Sequence, residues 1–190
     1  MFVLRKRRKV ISKIIFLIFI IFSLFFNFQK SYGIGIVDYH DRTIDSTKTY
    51  ILIDKTSQTL YLIMNVDTIW KAKCGIGTGK VLKYGDRVWK FGTPSGERKV
   101  VAKIRNPIWR KPDWAFIEEG KPIPLSNDPS RIIRNHLGKY KLDLGDEVGI
   151  HGIRGARAHG RVSHGCIRLE DKDLEMIWMN VIVGTKVIIR

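Results

Sequence analysis

The chain contains only two cysteines, Cys74 and Cys166, among its 190 residues. Two cysteines are too few for a disulfide framework, and we expect both thiols to be free. Acidic residues are also scarce, since 18 Asp and Glu stand against 34 Lys and Arg. The sequence shows no internal repeat and no low-complexity tract, so neither a repeat architecture nor a compositionally biased segment is expected. A hydrophobic content of 44% and a charged content of 27% are typical of a globular protein.

The first thirty residues contain no acidic side chain and no apolar run long enough for a comfortable membrane span. A cationic cluster, Arg5–Lys9, precedes an apolar run of 13 residues, Ile14–Phe26, whereas a spanning helix needs about 20. This pattern is typical of a secretory signal, and a marginal membrane anchor is the alternative. We therefore expect residues 1–33 to be a signal peptide or anchor and residues 34–47 a linker. The positive charge keeps the N-terminus in the cytoplasm, which places the remainder in the periplasm or at the extracytoplasmic face.

Beyond residue 30 the chain still has 27 basic and 18 acidic residues. A basic body favours polyanionic partners, among them an anionic cell-wall polymer. No RNP-like, helix-turn-helix or zinc-finger pattern supports nucleic acid, and we expect none as a partner. A soluble protein with a Lys-rich surface remains the alternative.

Alternating apolar residues from residue 48 onward predict a mainly β domain that runs to residue 190, a β-sandwich or mixed sheet. One late helix, Asp171 to Val183, is predicted from apolar residues at helical spacing and from Gly184, which stops it. The glycines that follow Lys73 predict irregular structure. The predicted strands are Tyr50–Asp54, Thr59–Met64, Thr68–Gly75, Arg98–Ile104, Val148–Gly152 and Lys186–Arg190.

Residues 105–135 contain five of the six prolines together with Trp109 and Trp114. A loop of this length and aromatic content is usually functional, which predicts a lid or a cleft wall. A surface loop held by its own aromatic residues is the alternative.

Chemistry is concentrated around Cys166. A free thiol has a pKa of about 8.5, so a nucleophilic cysteine needs a nearby base or a positive field. Two histidines, His151 and His164, lie within fifteen residues of Cys166, and arginines surround it, which predicts a lowered thiol pKa. Gly165 leaves room for a substrate carbonyl and for backbone N–H groups near an oxyanion. His151 ends a predicted strand, a rigid position for a general base.

Metal binding is the alternative for these residues, because His151, His159, His164 and Cys166 could supply four ligands. Their spacing matches no common zinc pattern, and no acidic residue lies nearby to polarise a metal-bound water. We therefore expect neither a metal nor another cofactor.

The residues His151-Gly152 and Ser163-His164-Gly165-Cys166-Ile167-Arg168 resemble the signature of the L,D-transpeptidase (YkuD-type) catalytic domain. In that family a His-Gly pair after an apolar strand is followed, about fifteen residues later, by Ser/Thr-His/Ser-Gly-Cys-Ile/Val-Arg. Weaker similarity at Tyr50–Met64, Gly77–Gly79 and Thr93–Gly96 extends the resemblance over about residues 48–190.

The resemblance implies acyl transfer on peptidoglycan tetrapeptide stems through a cysteine thioester, which forms 3→3 crosslinks or attaches a protein to the wall. It implies Cys166 as the nucleophile and His151 as the base, with the Gly152 carbonyl holding the imidazole. His164 and Gly165 are then expected at the oxyanion site. Arg168 and Ser163 are expected at the substrate. The planar guanidinium of Arg168 suits a substrate carboxylate, and bracing of the loop is the alternative role for it.

Two other functions stay open at this point. Water in place of the amine acceptor gives an L,D-carboxypeptidase or endopeptidase of the same fold. A non-catalytic wall-binding domain is a third possibility, although pure binding does not need a thiol.

Overall fold

The computed structural model describes residues 44–153 and 158–190, and the predicted signal or anchor segment lies outside them. The predicted opening strands are present. They form an antiparallel meander in which positive-φ residues at Gln58 and Asn65 make the two turns. The three strands of this meander are β1 (Thr49–Asp54), β2 (Thr59–Met64) and β3 (Asp67–Lys73).

The first sheet has five strands in the order β3-β2-β1-β15-β7. The last strand, β15 (Lys186–Ile189), runs parallel to β1 and antiparallel to β7 (Gly96–Lys99). The C-terminal strand therefore lies inside the sheet, where its branched side chains are covered on one face by the core.

The second sheet has six strands in the order β13-β4-β14-β12-β11-β8, and it carries the residues singled out for chemistry. Its central strands, β14 and β12, run parallel to each other. The six strands are β4 (Gly75–Gly77), β8 (Ala102–Arg105), β11 (Tyr140–Asp143), β12 (Gly149–His151), β13 (Gly160–Ser163) and β14 (Ile167–Arg168).

One apolar core joins both sheets to a helix, α2 (Asp171–Met179). Ile51 of the first sheet, Ile150 of the second and Ile177 of α2 are all completely buried in it. Burying side chains of this size stabilises each by roughly 1.5–3 kcal/mol. The predicted fold class, mainly β with mixed sheets and a late helix, is confirmed. Within the described residues no helix is long and apolar enough to cross a membrane.

Helix α2 is shorter than predicted. Its N-cap is Glu170 and it ends at Met179, four residues before the predicted end at Val183. Val181 is nevertheless buried at 1% exposure, while Val183 is 59% exposed. The apolar spacing that predicted a longer helix therefore included Val181, which lies in an irregular segment after the helix and still packs against the core.

The predicted strand Arg98–Ile104 is two strands in different sheets. β7 pairs with β15 and β8 pairs with β11, so the chain crosses from one sheet to the other at Val100 and Val101. Val100 is buried and Val101 is 55% exposed. Alternation alone does not show the crossing, because the apolar pattern of period two continues through it.

Several short elements were not predicted. The glycine-rich stretch contains a buried strand, β4, and is followed by an exposed hairpin. The 105–135 segment, predicted as a loop, contains one short helix, a 3-10 turn and a two-stranded ribbon. These elements are β5 (Val81–Tyr84), β6 (Arg87–Lys90), β9 (Trp109–Arg110), α1 (Asp113–Glu118), the 3-10 turn Pro129–Arg131 and β10 (Ile132–Ile133).

Candidate active site

Strand pairing brings Cys166 and His151 to the same face of the second sheet. β12 and β14 are parallel, with His151 opposite Arg168. Cys166 directly precedes β14, two residues before Arg168, and side chains two apart on an extended chain share a face. The opposite face is occupied by Ile150 and Ile167, which are fully buried. The core face of the two strands therefore fixes which face carries the thiol and the imidazole.

The sulfur lies against the start of β12. Cys166 Sγ is 3.5 Å from the carbonyl oxygen of Glu147, and the backbone N–H of Gly149 donates toward the sulfur. Gly149 and His151 point to the same side of β12, about 7 Å apart along the strand at 3.3 Å per residue. The predicted nucleophile and the predicted base therefore flank the same short stretch of backbone.

His151 is 4% exposed, and its Nδ1 lies 2.5 Å from the carbonyl oxygen of Gly152. A carbonyl only accepts, so Nδ1 carries the proton and Nε2 is left with its lone pair free to accept one. Burial lowers the pKa of His151 to about 4 against the raising effect of the Gly152 bond, and the positive charges of Arg168 and Lys141 lower it further. The imidazole is therefore neutral at pH 7.

Burial raises the pKa of the Cys166 thiol above its ordinary value. The Gly149 N–H and the positive charges of Lys141 and Arg168 oppose this effect but do not overcome it. The predicted lowering of the thiol pKa is therefore wrong for this structure, because desolvation of the thiolate outweighs the positive field. Arg154 and Arg157, two of the arginines behind that prediction, lie outside the described residues.

The loop before Cys166 is braced by Ser163, which is 1% exposed. Its hydroxyl donates to the carbonyl of Cys166 at 2.5 Å and accepts from the N–H of Gly165 at 3.2 Å. The N–H of Thr78 in turn donates to the Ser163 carbonyl. These contacts support a bracing role for Ser163, and its predicted contact with substrate stays a prediction.

Arg168 is half-buried on the catalytic face. Its Nε is buried and has no hydrogen-bond partner among the described residues. No carboxylate within the described ranges forms an ion pair with its guanidinium. A planar cation beside a thiol, with no anionic partner among the described residues, suits a substrate carboxylate, although that contact stays a prediction.

His164 belongs to an aromatic wall that the sequence did not identify. Its ring stacks on Trp114 of α1 at 3.9 Å and meets Phe91 edge-on at 4.4 Å. Its Nε2 lies 2.8 Å from the carboxylate of Glu118, also on α1. The 105–135 segment thus reaches the active site through α1, as expected for a cleft wall.

His136 and Lys141 are also near the reacting pair and were missed. His136 stacks on Trp109 at 4.3 Å and lies close enough to His151 and Arg168 to interact electrostatically with both. Burial lowers the pKa of His136. Lys141 lies opposite His151 in the β11–β12 pair. No motif surrounds either residue, so only the register of β11 and the close packing of Gly138 on Gly152 reveal them.

The four side chains considered for metal binding do not converge in the structure. His159 Nε2 lies 3.5 Å from Glu170, and His164 pairs with Glu118. Across residues 44–153 and 158–190, no three His, Cys, Asp or Glu side chains are grouped as a metal requires. Cys74 lies apart from the site, fully buried, and burial raises its pKa to about 12.

Comparison with known proteins shows to which family this fold and sequence are similar. The family model described as the L,D-transpeptidase catalytic domain matches residues 48–189. The "Putative L,D-transpeptidase YqjB" of Bacillus subtilis is 29% identical over 147 residues, which cover 74% of this chain and 70% of YqjB. The "Probable L,D-transpeptidase YbiS" of Escherichia coli K12 is 35% identical over 95 residues, 47% of this chain but only 30% of YbiS.

Two solved structures share the fold. An L,D-transpeptidase from Xylanimonas cellulosilytica (residues 123-326) superposes with a TM-score of 0.55 at 17% identity, over 78% of this chain and 63% of that one. An L,D-transpeptidase from Mycobacterium smegmatis gives 0.53 at 22% identity, over 75% and 58%. At these identities the likeness concerns the fold alone.

Proposed function

The chain belongs to the L,D-transpeptidase catalytic domain family, and on this premise we propose that it transfers acyl groups of peptidoglycan stem peptides through a thioester on Cys166. One observation supports the proposal most directly. β12, which ends at the buried His151, pairs in parallel with β14, which Cys166 directly precedes, and Nε2 of that imidazole is free to accept a proton.

The reaction begins from a neutral pair. A raised thiol pKa and a lowered imidazole pKa keep the resting proton on sulfur. His151 Nε2 therefore takes the proton as Sγ attacks the carbonyl carbon of the stem, and the carbonyl π electrons move to oxygen. When the tetrahedral intermediate collapses, the imidazolium gives its proton to the leaving amine, which the family resemblance identifies as the terminal D-alanine.

A second amine then attacks the thioester carbonyl and gives a proton to His151. As the C–S bond breaks and the new amide forms, His151 returns that proton to the departing sulfur, which regenerates the thiol. The acceptor amine comes from a neighbouring stem or from a protein to be attached to the wall. Lys141 and Arg168 lie on the catalytic face, and their positive charge stabilises the thiolate as it develops. Arg168, which has no anionic partner among the described residues, is suited to the donor carboxylate.

The test uses the full chain in mild detergent with a disaccharide-tetrapeptide, and products are followed by mass spectrometry. We expect crosslinked dimers with loss of alanine, and an acyl-enzyme mass on Cys166. Cys166→Ala should abolish both, whereas Cys74→Ala, the matched control at the other thiol, should retain both. Product formation that survives Cys166→Ala contradicts the proposed nucleophile, and shortened stems without dimers indicate water as the acceptor.

Location and partners outside the site are part of the same proposal. A basic cluster before an apolar run favours a catalytic domain on the extracytoplasmic side of the membrane, attached to it or released from it. The excess of basic residues beyond residue 30 favours contact with an anionic cell-wall polymer. N-terminal sequencing of the chain from membrane and soluble fractions decides between an anchor and a cleaved signal; recovery of the intact chain from the cytosol alone contradicts both.

A further inference from the structure

Thr93 connects two glycines of the active-site sheet through one buried hydroxyl. The residue is 7% exposed and lies in the loop that follows β6. Its Oγ1 accepts a hydrogen bond from the N–H of Gly77 at 2.8 Å and donates one to the carbonyl of Gly165 at 2.9 Å. Because Gly165 immediately precedes Cys166, this hydroxyl holds the peptide group that joins those two residues.

The backbone around Thr93 is closely packed, which fixes where the hydroxyl lies. A Cβ at Gly77 would be 2.4 Å from the carbonyl oxygen of Phe91 and 2.6 Å from the nitrogen of Thr93. Only glycine permits that approach. On the other side, Lys55 Nζ donates to the Thr93 carbonyl at 3.2 Å. Thr93 is therefore held by β4 on one side and by Lys55, in the turn that follows β1, on the other.

Fixing the Gly165 carbonyl also fixes the N–H of Cys166. The peptide bond is planar and trans, so its C=O and N–H point in opposite directions. Ser163 already engages the neighbouring N–H of Gly165 and the carbonyl of Cys166. The two hydroxyls together determine the orientation of the peptide planes on both sides of the nucleophile, and they direct the Cys166 N–H away from Thr93.

We infer that Thr93 is a positioning residue that orients the Cys166 N–H as a donor to the oxyanion, an inference that rests on the proposed thioester reaction. As the Sγ–C bond forms, the carbonyl π electrons become an oxyanion beside the sulfur, while the thiol proton goes to His151. A backbone N–H held in advance stabilises that charge without rearrangement during the reaction. Thr93 touches neither the substrate nor the reacting atoms.

The experiment separates this role from general support of the thiol. Thr93→Val removes the hydroxyl at nearly constant shape, and Thr93→Ser keeps the hydroxyl. Acylation of Cys166 by the carbapenem imipenem passes through an oxyanion and is followed by the mass of the intact protein. Alkylation of Cys166 by iodoacetamide displaces iodide, forms no oxyanion and needs only the thiolate. Peptide mapping separates Cys166 from the buried Cys74.

We expect Thr93→Val to slow acylation about 10- to 100-fold, somewhat less than the loss of a whole oxyanion donor. Iodoacetamide alkylation should stay within about twofold of the parent at every pH, and Thr93→Ser should restore acylation to within a few fold. With the tetrapeptide substrate, kcat should fall while KM changes little. If Thr93→Val does not fold, Thr93→Ala provides the same comparison.

Parallel losses in acylation and alkylation, or unchanged acylation in the folded variant, overturn the positioning role while leaving the thioester mechanism intact. Absence of any imipenem adduct or product on the parent chain instead overturns the proposed function, and the Thr93 inference with it. The two failures are therefore distinguishable from the behaviour of the parent chain alone.

Discussion

Arg131 provides the clearest quantitative prediction, because a buried guanidinium holds the 105–135 segment together. Its side chain is 8% exposed and pairs with Asp113 Oδ1 at 2.6 Å. It also donates to the carbonyls of Pro124 at 2.6 Å, Leu125 at 2.9 Å and Lys111 at 3.1 Å. One side chain therefore satisfies three backbone carbonyls and one carboxylate, and it fixes the start of α1.

Arg131→Met keeps the length and apolar stem of the side chain but removes all four hydrogen bonds. Each neutral hydrogen bond contributes about 1 kcal/mol, and breaking a buried ion pair costs about 3–5 kcal/mol because the partner is left unpaired. Asp113 is 30% exposed and also contacts Arg87, so part of its charge stays compensated. We therefore expect the free energy of unfolding to fall by about 3–4 kcal/mol. If the 105–135 segment opens while the rest of the domain stays folded, the loss cannot exceed the free energy of that local opening.

Urea unfolding followed by circular dichroism and by tryptophan fluorescence measures this loss. With an m-value of about 1.5 kcal/mol/M, the midpoint should fall by about 2 M. Arg110→Met is the matched control, since Arg110 is exposed and contacts only the Ser126 carbonyl among the described residues; it should cost under about 1 kcal/mol. If the fluorescence transition alone moves, the segment opens locally. Equal midpoints for the two variants would refute the proposed role of Arg131.

Two further predictions concern His151 and the glycine contact beside it. Because the pKa of His151 is lowered from 6.5 to about 4, the unfolded chain binds the extra proton and the free energy of unfolding should fall as the pH falls through that range. The decrease in the free energy of unfolding approaches roughly 3 kcal/mol. Urea unfolding at a series of pH values should show this decrease in the parent chain and not in His151→Asn. An equal pH dependence in the variant contradicts the buried neutral imidazole. Gly138→Ala places a Cβ 2.8 Å from the Gly152 Cα at a φ of +73, whereas Gly145→Ala at +79 meets nothing within 4 Å. In both variants the left-handed backbone costs about 1 kcal/mol. Thermal unfolding should show that Gly138→Ala lowers the free energy of unfolding by at least about 2 kcal/mol more than Gly145→Ala does. Similar melting temperatures for the two variants contradict the close packing.

The sequence predicted those parts of the molecule that local patterns determine. The strands of the meander β1–β3 are short runs rich in β-branched and other apolar residues, separated by turns at Gln58 and Asn65, so they were located to within a residue or two. The residues around Cys166 were identified because the motif itself carries their chemistry. A second short helix, α1, was missed because its six residues among prolines are too few to show the i, i+3, i+4, i+7 apolar spacing that identifies a helix.

Contacts between distant segments could not be predicted. The wall that contacts His164 comes from Trp114 and Glu118, about fifty residues earlier, and no local spacing links them. Likewise, Thr93 meets Gly165 across 72 positions because β4 lies next to β13 and β14. The order of strands in a sheet depends on which strands pack their apolar faces together. That packing joins distant segments, so no local spacing in a single sequence reveals it.

Burial explains why the motif led to a wrong expectation for the thiol pKa. Positive residues near a cysteine in sequence suggest a stabilised thiolate, but the same fold that brings Lys141 and Arg168 to the sulfur also removes water from it. The field of two cations partly offsets that desolvation in the resting state, and a substrate carboxylate on Arg168 would weaken the field further. In the proposed mechanism the proton therefore leaves the sulfur during attack rather than before it, and the free Nε2 of His151 receives it. A site of this kind keeps its thiol neutral, and so less reactive toward oxidants, until a carbonyl is in place.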